Sequence, residues 1–219
     1  MTGKVKHDLS LTEEIAAILR EWILQGRYRI GEQLKESVLC DTLSVSRTPV
    51  REALKLLAAE GIVEILPNRG AFARGFTKQD LRDLYAVRAA IEEMAIGLTV
   101  ENITDEELAR LEETYDLMEF YTAKKNSKMV LEQNHRFHEI IYHASKSRFM
   151  AQMLLSYQDY VYQARKATLS IPDNLRRVLS EHGEILSAIQ ARDRTRAMEQ
   201  MTRHLRNAKE RAEARWRTR

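Results

Sequence analysis

Apolar residues recur at helical spacing from the first turns of the chain. Ile15, Ile18, Leu19, Trp22 and Ile23 fall at i, i+3, i+4, i+7 and i+8, one face of a helix, and Ser10-Leu-Thr-Glu13 ahead of them has the spacing of a capping box. Gly26 closes that helix. Leu34, Val38, Leu39 and Leu43 form a shorter second stripe, and residues 41–45 read as a bend. Ser46 is placed to cap a third helix, with Pro49 in its first turn, where no intrahelical partner is lost. Val50, Leu54 and Leu57 make its apolar face and Gly61 ends it. The period then changes: residues 62–66 and 71–74 are two short apolar runs around Pro67-Asn-Arg-Gly70, which is hairpin chemistry.

Beyond residue 76 the pattern is helical almost without interruption. Stretches at 78–101, 105–125, 128–145, 147–169, 173–191 and 194–216 are expected as helices, with Thr77 and Asp80 as a capping-box-like start, Thr104 and Glu107 as a capping box, and Pro172 as a break. Six of the eight glycines lie in the first 75 residues. The fold class expected is therefore mainly α: a punctuated domain at 1–75 carrying three helices, a bend between the last two and a hairpin, then an all-α antiparallel bundle at 76–219.

At 219 residues the chain is long enough for two cores. A single cysteine, Cys40, excludes an internal disulfide framework and a multi-cysteine zinc site. No apolar run is long enough for a membrane span and the N-terminus lacks a signal-peptide core, so a cytoplasmic protein is expected. The formal charge of +3 speaks against a general polyanion binder. By segment it is uneven: net +1 for 1–75, −3 for 76–202 and +5 for 203–219.

In the third helix Arg47, Arg51 and Lys55 sit at i, i+4 and i+8, away from the apolar face. Two short helices around a tight bend, the second with a basic stripe, describe a helix-turn-helix; guanidinium groups can bond phosphate or grip guanine bidentately, and Thr48 can reach either. A solvated charged face is the plain alternative. The hairpin that follows, with Arg69 at its tip, favours a winged helix that binds duplex DNA.

The run Ser46-Arg-Thr-Pro-Val-Arg-Glu-Ala-Leu54, with Leu34-Lys-Glu36, Leu39, Leu43-Ser-Val45, Leu57, Glu60-Gly61 and Pro67-Asn-Arg-Gly-Ala-Phe72, resembles the GntR family of bacterial transcriptional regulators. The resemblance covers about residues 10–75. It implies that Arg47, Thr48 and Arg51 contact an operator and that Arg69 and Gly70 enter the minor groove. The chain departs from the family pattern at Ser44, where glycine is usual, and at Ser37, where many relatives carry an arginine that contacts DNA.

His138, His182 and His204 each sit mid-helix among apolar neighbours, with Asn134 one turn before His138. On spacing alone, satisfied polar core residues account for them best. His135 and His143 read as surface or packing residues, and His7 lies in the N-terminal tail. The segment 78–210 resembles the FadR-type C-terminal effector domain of one GntR subfamily, through Leu84-Tyr-Ala-Val-Arg88-Ala-Ala-Ile-Glu92, Asn134-His-Arg-Phe-His138, residues 181–189 and 193–205. That resemblance implies a divalent transition metal (zinc, nickel or manganese) on His138, His182, His204 and Asn134, the last standing where metal-binding members have Asp. It also implies a small carboxylate effector, for which Arg88 is the candidate partner because a guanidinium grips a carboxylate bidentately. An i,i+4 pair with Glu92 is the alternative role of Arg88. Tyr85, Tyr142, Tyr157 and Arg165 are further candidates to line such a site, and the basic tail with Arg206, Lys209, Arg211, Arg215, Arg217 and Arg219 reads as a solvated helix end.

The expected function is a homodimeric, ligand-responsive regulator, a repressor rather than an activator by resemblance, whose operator affinity changes when the effector binds. A metal-responsive factor with the metal as effector is one alternative. A metal-dependent enzyme built on the three histidines is another, for which no residue pattern supplies a nucleophile and a base.

Overall fold

The computed structural model describes residues 10–216. His7, Arg217 and Arg219 lie outside the described residues. The chain divides into two compact units, Met1–Thr77 and Lys78–Arg219.

Among the described residues the first unit carries three helices, α1 (Leu11–Leu24), α2 (Glu36–Leu43) and α3 (Arg47–Ala59), and three strands, β1 (Gln33–Leu34), β2 (Val63–Leu66) and β3 (Gly70–Ala73). The capping box of α1 forms, with the Ser10 hydroxyl accepting from the Glu13 amide and the Glu13 carboxylate accepting from the Ser10 amide at 2.8 Å. Such a cap contributes about 1 kcal/mol. Ile15, Leu19 and Ile23 are buried as the stripe predicts, together with Ala16; Ile18 is exposed. They pack on Val50, Ala53, Leu54 and Leu57 of α3. Arg20 pins the pair by a two-point ion pair to Glu60. Two sequence expectations change here. Leu34 is not part of a helical stripe: it lies in β1, which pairs antiparallel with β3 (Gln33 with Phe72, Leu34 with Ala71), so the β2–β3 hairpin is completed to a three-stranded sheet ordered β1-β3-β2 with β3 at its centre. Val38 is exposed, and only Leu39 of α2 is buried. The bend turns at Ser44, whose φ of 55° is left-handed. Ser46 occupies the N-cap position of α3 without making a side-chain cap bond.

The second unit is helical throughout: α4 (Lys78–Asn102), α5 (Asp105–Ala123), α6 (Ser127–Ala144), α7 (Arg148–Ser156), α8 (Gln158–Leu169), α9 (Pro172–Gln190) and α10 (Arg194–Trp216). The expected single helix at 147–169 is two, broken at Tyr157, whose backbone (φ −97°, ψ 3°) leaves the helical region. Helix α4 packs chiefly on α10 and also on α6 and α7, while α5 lies on α6 and α9. The core runs through Ile96, Leu111, Met118, Phe137, Ile141, Ile185, Ile189 and Met201. Polar groups inside it are used structurally: the buried Thr99 hydroxyl donates 2.7 Å to the Ile141 carbonyl, tying α4 to α6. The Arg192 guanidinium donates to the Val100 and Ile103 carbonyls around the C-terminal end of α4, where helix carbonyls run out of intrahelical donors. Among the described residues no helix is long and apolar enough to cross a membrane.

Candidate functional site

In the first unit Arg47, Thr48, Arg51 and Lys55 all stand exposed on α3, opposite its buried face. Arg47 and Thr48 lie in the first turn, where the helix N-terminus favours phosphate. Arg51 is held: its Nε donates to both oxygens of Glu36 on α2, at 3.0 and 2.8 Å. Lys55 pairs with Glu52 at 2.8 Å. The wing turn is shaped by Asn68 (φ 57°) and Gly70 (φ 95°), and Gln33 from β1 donates 2.8 Å to the Arg69 carbonyl, so the strand missed from sequence fixes the wing tip. Arg69 stands exposed there, its guanidinium 5.8 Å from the Phe72 ring. The positive φ of Gly70 favours glycine there, and a Cβ would also press the Gln33 amide at 3.2 Å.

In the second unit α6, α9 and α10 bring His138, His182 and His204 together, each nearly or fully inaccessible, with one ligand atom of each lying within 4.8 Å of the others. Their orientation follows from what each Nδ1 touches. His182 Nδ1 lies 2.7 Å from the Val178 carbonyl, one helical turn back. His138 Nδ1 lies 3.1 Å from Glu92 Oε2 on α4. His204 Nδ1 lies 2.8 Å from Glu181 Oε2 on α9. All three acceptors are oxygens that only accept, so each Nδ1 carries the proton and each Nε2 offers its lone pair. Burial lowers the pKa of all three, well below the ordinary histidine range for His138 and His182, and the carboxylates beside His138 and His204 offset this only in part. The neutral imidazole is the form a metal needs.

Two further buried atoms have no hydrogen-bond partner among the described residues: His138 Nε2 and Asn134 Oδ1. The Asn134 amide nitrogen donates 3.2 Å to His182 Nε2, which places the amide in the same cluster. Three imidazole nitrogens with fixed tautomers and an adjacent amide oxygen match a transition-metal donor set, with the second partners that such histidines require. His135 is half-buried and His143 exposed, and neither joins the cluster.

The partners were not legible from spacing. Glu92 is 46 residues from His138, and Glu181 is 23 from His204. Burial alone would raise the Glu92 carboxyl, but the Arg88 guanidinium and His138 outweigh it and hold it well below the usual range. Glu181 is drawn down to about 2, since hydrogen bonds from Arg211 and His204 overcome its burial. Arg211 makes a two-point contact at 2.7 and 2.8 Å and Asn207 adds a third at 2.9 Å. Arg211 therefore departs from the solvated helix end expected for the basic tail.

Of its two expected alternatives, Arg88 makes the ion pair. Its Nε donates 2.7 Å to Glu92, the i,i+4 pair, while its Nη1 and Nη2 are buried with no partner among the described residues. Tyr85 and Tyr142 are buried beside it, with the Arg88 Cζ 4.9 Å from the Tyr85 ring. Arg165 on α8 is buried as well, and Tyr157 stays half-buried at the α7–α8 break.

Two family models match the chain: "Bacterial regulatory proteins, gntR family" at residues 11–73 and "FCD domain" at residues 83–207. Among curated relatives, the HTH-type transcriptional regulator McbR of Escherichia coli is 28% identical over 88% of this chain and 88% of its own length. The HTH-type transcriptional repressor GlaR of the same organism is 28% identical over 85% and 89%. The solved structure of E. coli McbR/YncC superposes with a TM-score of 0.72 at 24% identity, covering 91% of this chain and 95% of that one, which shows the shared fold. These relatives are regulators, and the metal-dependent enzyme reading falls away. A winged helix with an arginine-bearing recognition helix, joined in one chain to an FCD helical unit, makes this protein a DNA-binding transcriptional regulator of the bacterial GntR family.

Proposed function

We propose that the protein is a repressor released from its operator by a small carboxylate, bound in the second unit beside a metal held by His138, His182, His204 and Asn134. The observation that carries this reading is the Arg88 fork: two terminal nitrogens, buried with no partner among the described residues, on a guanidinium that Glu92 links to His138 of the three-imidazole cluster. Buried guanidinium N–H groups without acceptors are costly, and a carboxylate is the ligand whose two oxygens match them. The donor set is neutral and mostly imidazole, which favours zinc or nickel over manganese, a metal better served by carboxylates. When bound, such an ion supplies an electrophilic position for an effector oxygen.

The residues around it have defined tasks. Glu92, Glu181 and the Val178 carbonyl hold the imidazoles in the ligating tautomer, and Arg88 orients the effector carboxylate. On α3, Arg47, Thr48, Arg51 and Lys55 read and grip the operator, and Arg69 with Gly70 enters the minor groove from the wing. A homodimer would place two such heads on a palindromic site. Exposed Val87 and Met94, with half-buried Ile91 and Leu98 between and beyond them on one face of α4, support a second copy packing there. Repression is supported by the names of GlaR and of the gluconate operon repressor of Bacillus licheniformis, which is 28% identical over 82% of the chain.

The test is fluorescence anisotropy of the full-length protein on duplex DNA from its own upstream region, titrated with small carboxylates before and after chelation. Operator affinity should fall with effector, and Arg88→Gln should keep DNA binding while losing the response. Affinity indifferent to every carboxylate would overturn the effector reading; affinity that follows free metal alone would make the metal the effector.

A further inference from the structure

The basic stripe of α3 is less basic than its sequence suggests. Lys55 is paired with Glu52 of the same helix, and Arg51 with Glu36 of α2. Among the described residues Arg47 alone of the three has no carboxylate partner. The Lys55–Glu52 pair is an exposed contact between helix neighbours, a kind that contributes little. The Arg51–Glu36 pair is different in construction. It joins residues 15 apart in sequence, on two helices. Glu36 opens α2, where a helix N-terminus favours a carboxylate. Helix α2 is seated on α3, with Leu39 buried and the left-handed turn at Ser44 between the two, so the backbone that carries Glu36 is fixed.

The contact uses one edge of the guanidinium only. Nε donates to both oxygens of Glu36, at 3.0 and 2.8 Å, while Nη1 and Nη2 make no hydrogen bond among the described residues and the side chain is exposed. A carboxylate on a surface that meets DNA weakens the pull on phosphate, so its presence needs a reason. Phosphate and base edges ask different things of a guanidinium. Phosphate is an anion and is drawn to net charge. The O6 and N7 of guanine are neutral acceptors and require two N–H groups in register. With Nε held by Glu36, the pair is close to neutral and the Nη1–Nη2 edge is the one on offer. An arginine held in this way also loses less rotamer freedom when it docks.

We infer that Glu36 makes Arg51 a reader of a base rather than a phosphate contact: it positions the guanidinium end-on for a guanine, and its charge weakens capture of that guanidinium by the backbone. Glu36 is a positioning residue that touches no base itself. This rests on the operator-contact reading of Arg51 and deepens it.

The test is fluorescence anisotropy of the full-length protein on the duplex from its own upstream region and on a scrambled duplex of the same length, at one salt concentration. The ratio of the two affinities is the readout. Glu36→Gln should lower that ratio about 10-fold or more, the range of one bidentate base contact, while affinity for the scrambled duplex holds or rises. A base-pair scan of the operator should show discrimination relaxed at the same G·C pair that Arg51→Ala relaxes. In the Arg51→Ala background, Glu36→Gln should change the ratio less than about twofold. A wild-type ratio in Glu36→Gln overturns the inference, and so does scrambled-duplex affinity that falls in step with operator affinity, the mark of a merely structural role. A further drop of the ratio in the Arg51→Ala background overturns it as well, since Glu36 would then contact a base directly. If Arg51→Ala itself keeps the wild-type ratio, the operator-contact reading fails; if Arg51→Ala lowers the ratio and Glu36→Gln does not, only the positioning role fails.

Discussion

Each imidazole of the cluster depends on a single acceptor, and the strength of that dependence can be measured. Glu181 receives the His204 proton on one side and Arg211 with Asn207 on the other, so the carboxylate is fixed before it fixes the ring. Glu181→Gln keeps the shape but removes the charge that makes His204 a stronger donor. Metal affinity in a chelator competition should fall about 10- to 100-fold, the range for such outer partners. Asn134→Asp works in the opposite direction, adding a charged oxygen where the protein offers a neutral one, and should tighten metal binding in the same assay. Protonation gives a further check at this scale. All three imidazoles have lowered pKa values when folded, while the unfolded chain takes up protons from about 6.5 downward. The unfolded state therefore binds more protons in that window, and the stability of the chelated protein falls as pH drops below about 6.5. Glu181 adds to the loss at lower pH: depressed to about 2 in the fold, it contributes above the ordinary glutamate value of about 4.3 and that contribution is lost between there and about 2. Melting temperatures of the chelated protein should decline steadily from pH 7 to pH 4; a flat profile would show that burial does not hold the rings neutral. The sequence marked these histidines through the motifs around them. Their carboxylate partners were hidden because contacts across helices leave no mark in local spacing, whereas Arg88 and Glu92, four residues apart on one helix, were legible as a pair.

Periodicity succeeded for the elements where one face is buried and the other is not. The α3 stripe gave both the core positions and the basic face, and the capping boxes gave the starts of α1 and α5. It missed β1, because two residues cannot display an alternation, and it missed the break at Tyr157, because no glycine or proline marks it and both flanking helices keep an apolar face. The exposed side of α4 also carries a prediction. Val87 and Met94 are two turns apart, 41% and 56% exposed, on the helix that supplies Arg88 and Glu92 from its other side. If a second copy covers that stripe, Met94→Glu places a charge in an apolar contact. Analytical ultracentrifugation should then show a dimer becoming monomer at micromolar concentration, with far-UV circular dichroism unchanged. In the head, the Glu36 contact holds Arg51 across α2 and α3 rather than free in solvent, which lowers the ordering cost of a DNA contact. Arg51→Ala should weaken operator binding about 10- to 100-fold, the worth of a good bidentate base contact. Lys55→Ala should weaken all duplexes alike and shallow the salt dependence by about one counterion.

At the scale of the whole chain, the small net charge of +3 conceals a division of labour. The helical unit is nearly balanced, −3 over 76–202 and +5 over 203–219, so bulk charge does not draw in nucleic acid; on the proposed reading operator affinity must come from a few contacts of α3 and the wing placed in register. A homodimer of the proposed kind would be released by small changes in how its two heads meet their half-sites. Release by the proposed effector would be a coupling free energy between two sites and therefore reciprocal: if effector weakens operator binding by a given factor, operator must weaken effector binding by the same factor. Calorimetric titration of the effector into the protein alone and into the protein saturated with its operator duplex measures one side of the cycle; anisotropy with and without saturating effector measures the other. The two factors should agree, and typical couplings place them between about 5- and 150-fold. Arg88→Gln should bring both to one together. If it abolished only the effect of ligand on DNA and left the effect of DNA on ligand, the effector would be acting at a site other than the buried arginine and histidine cluster.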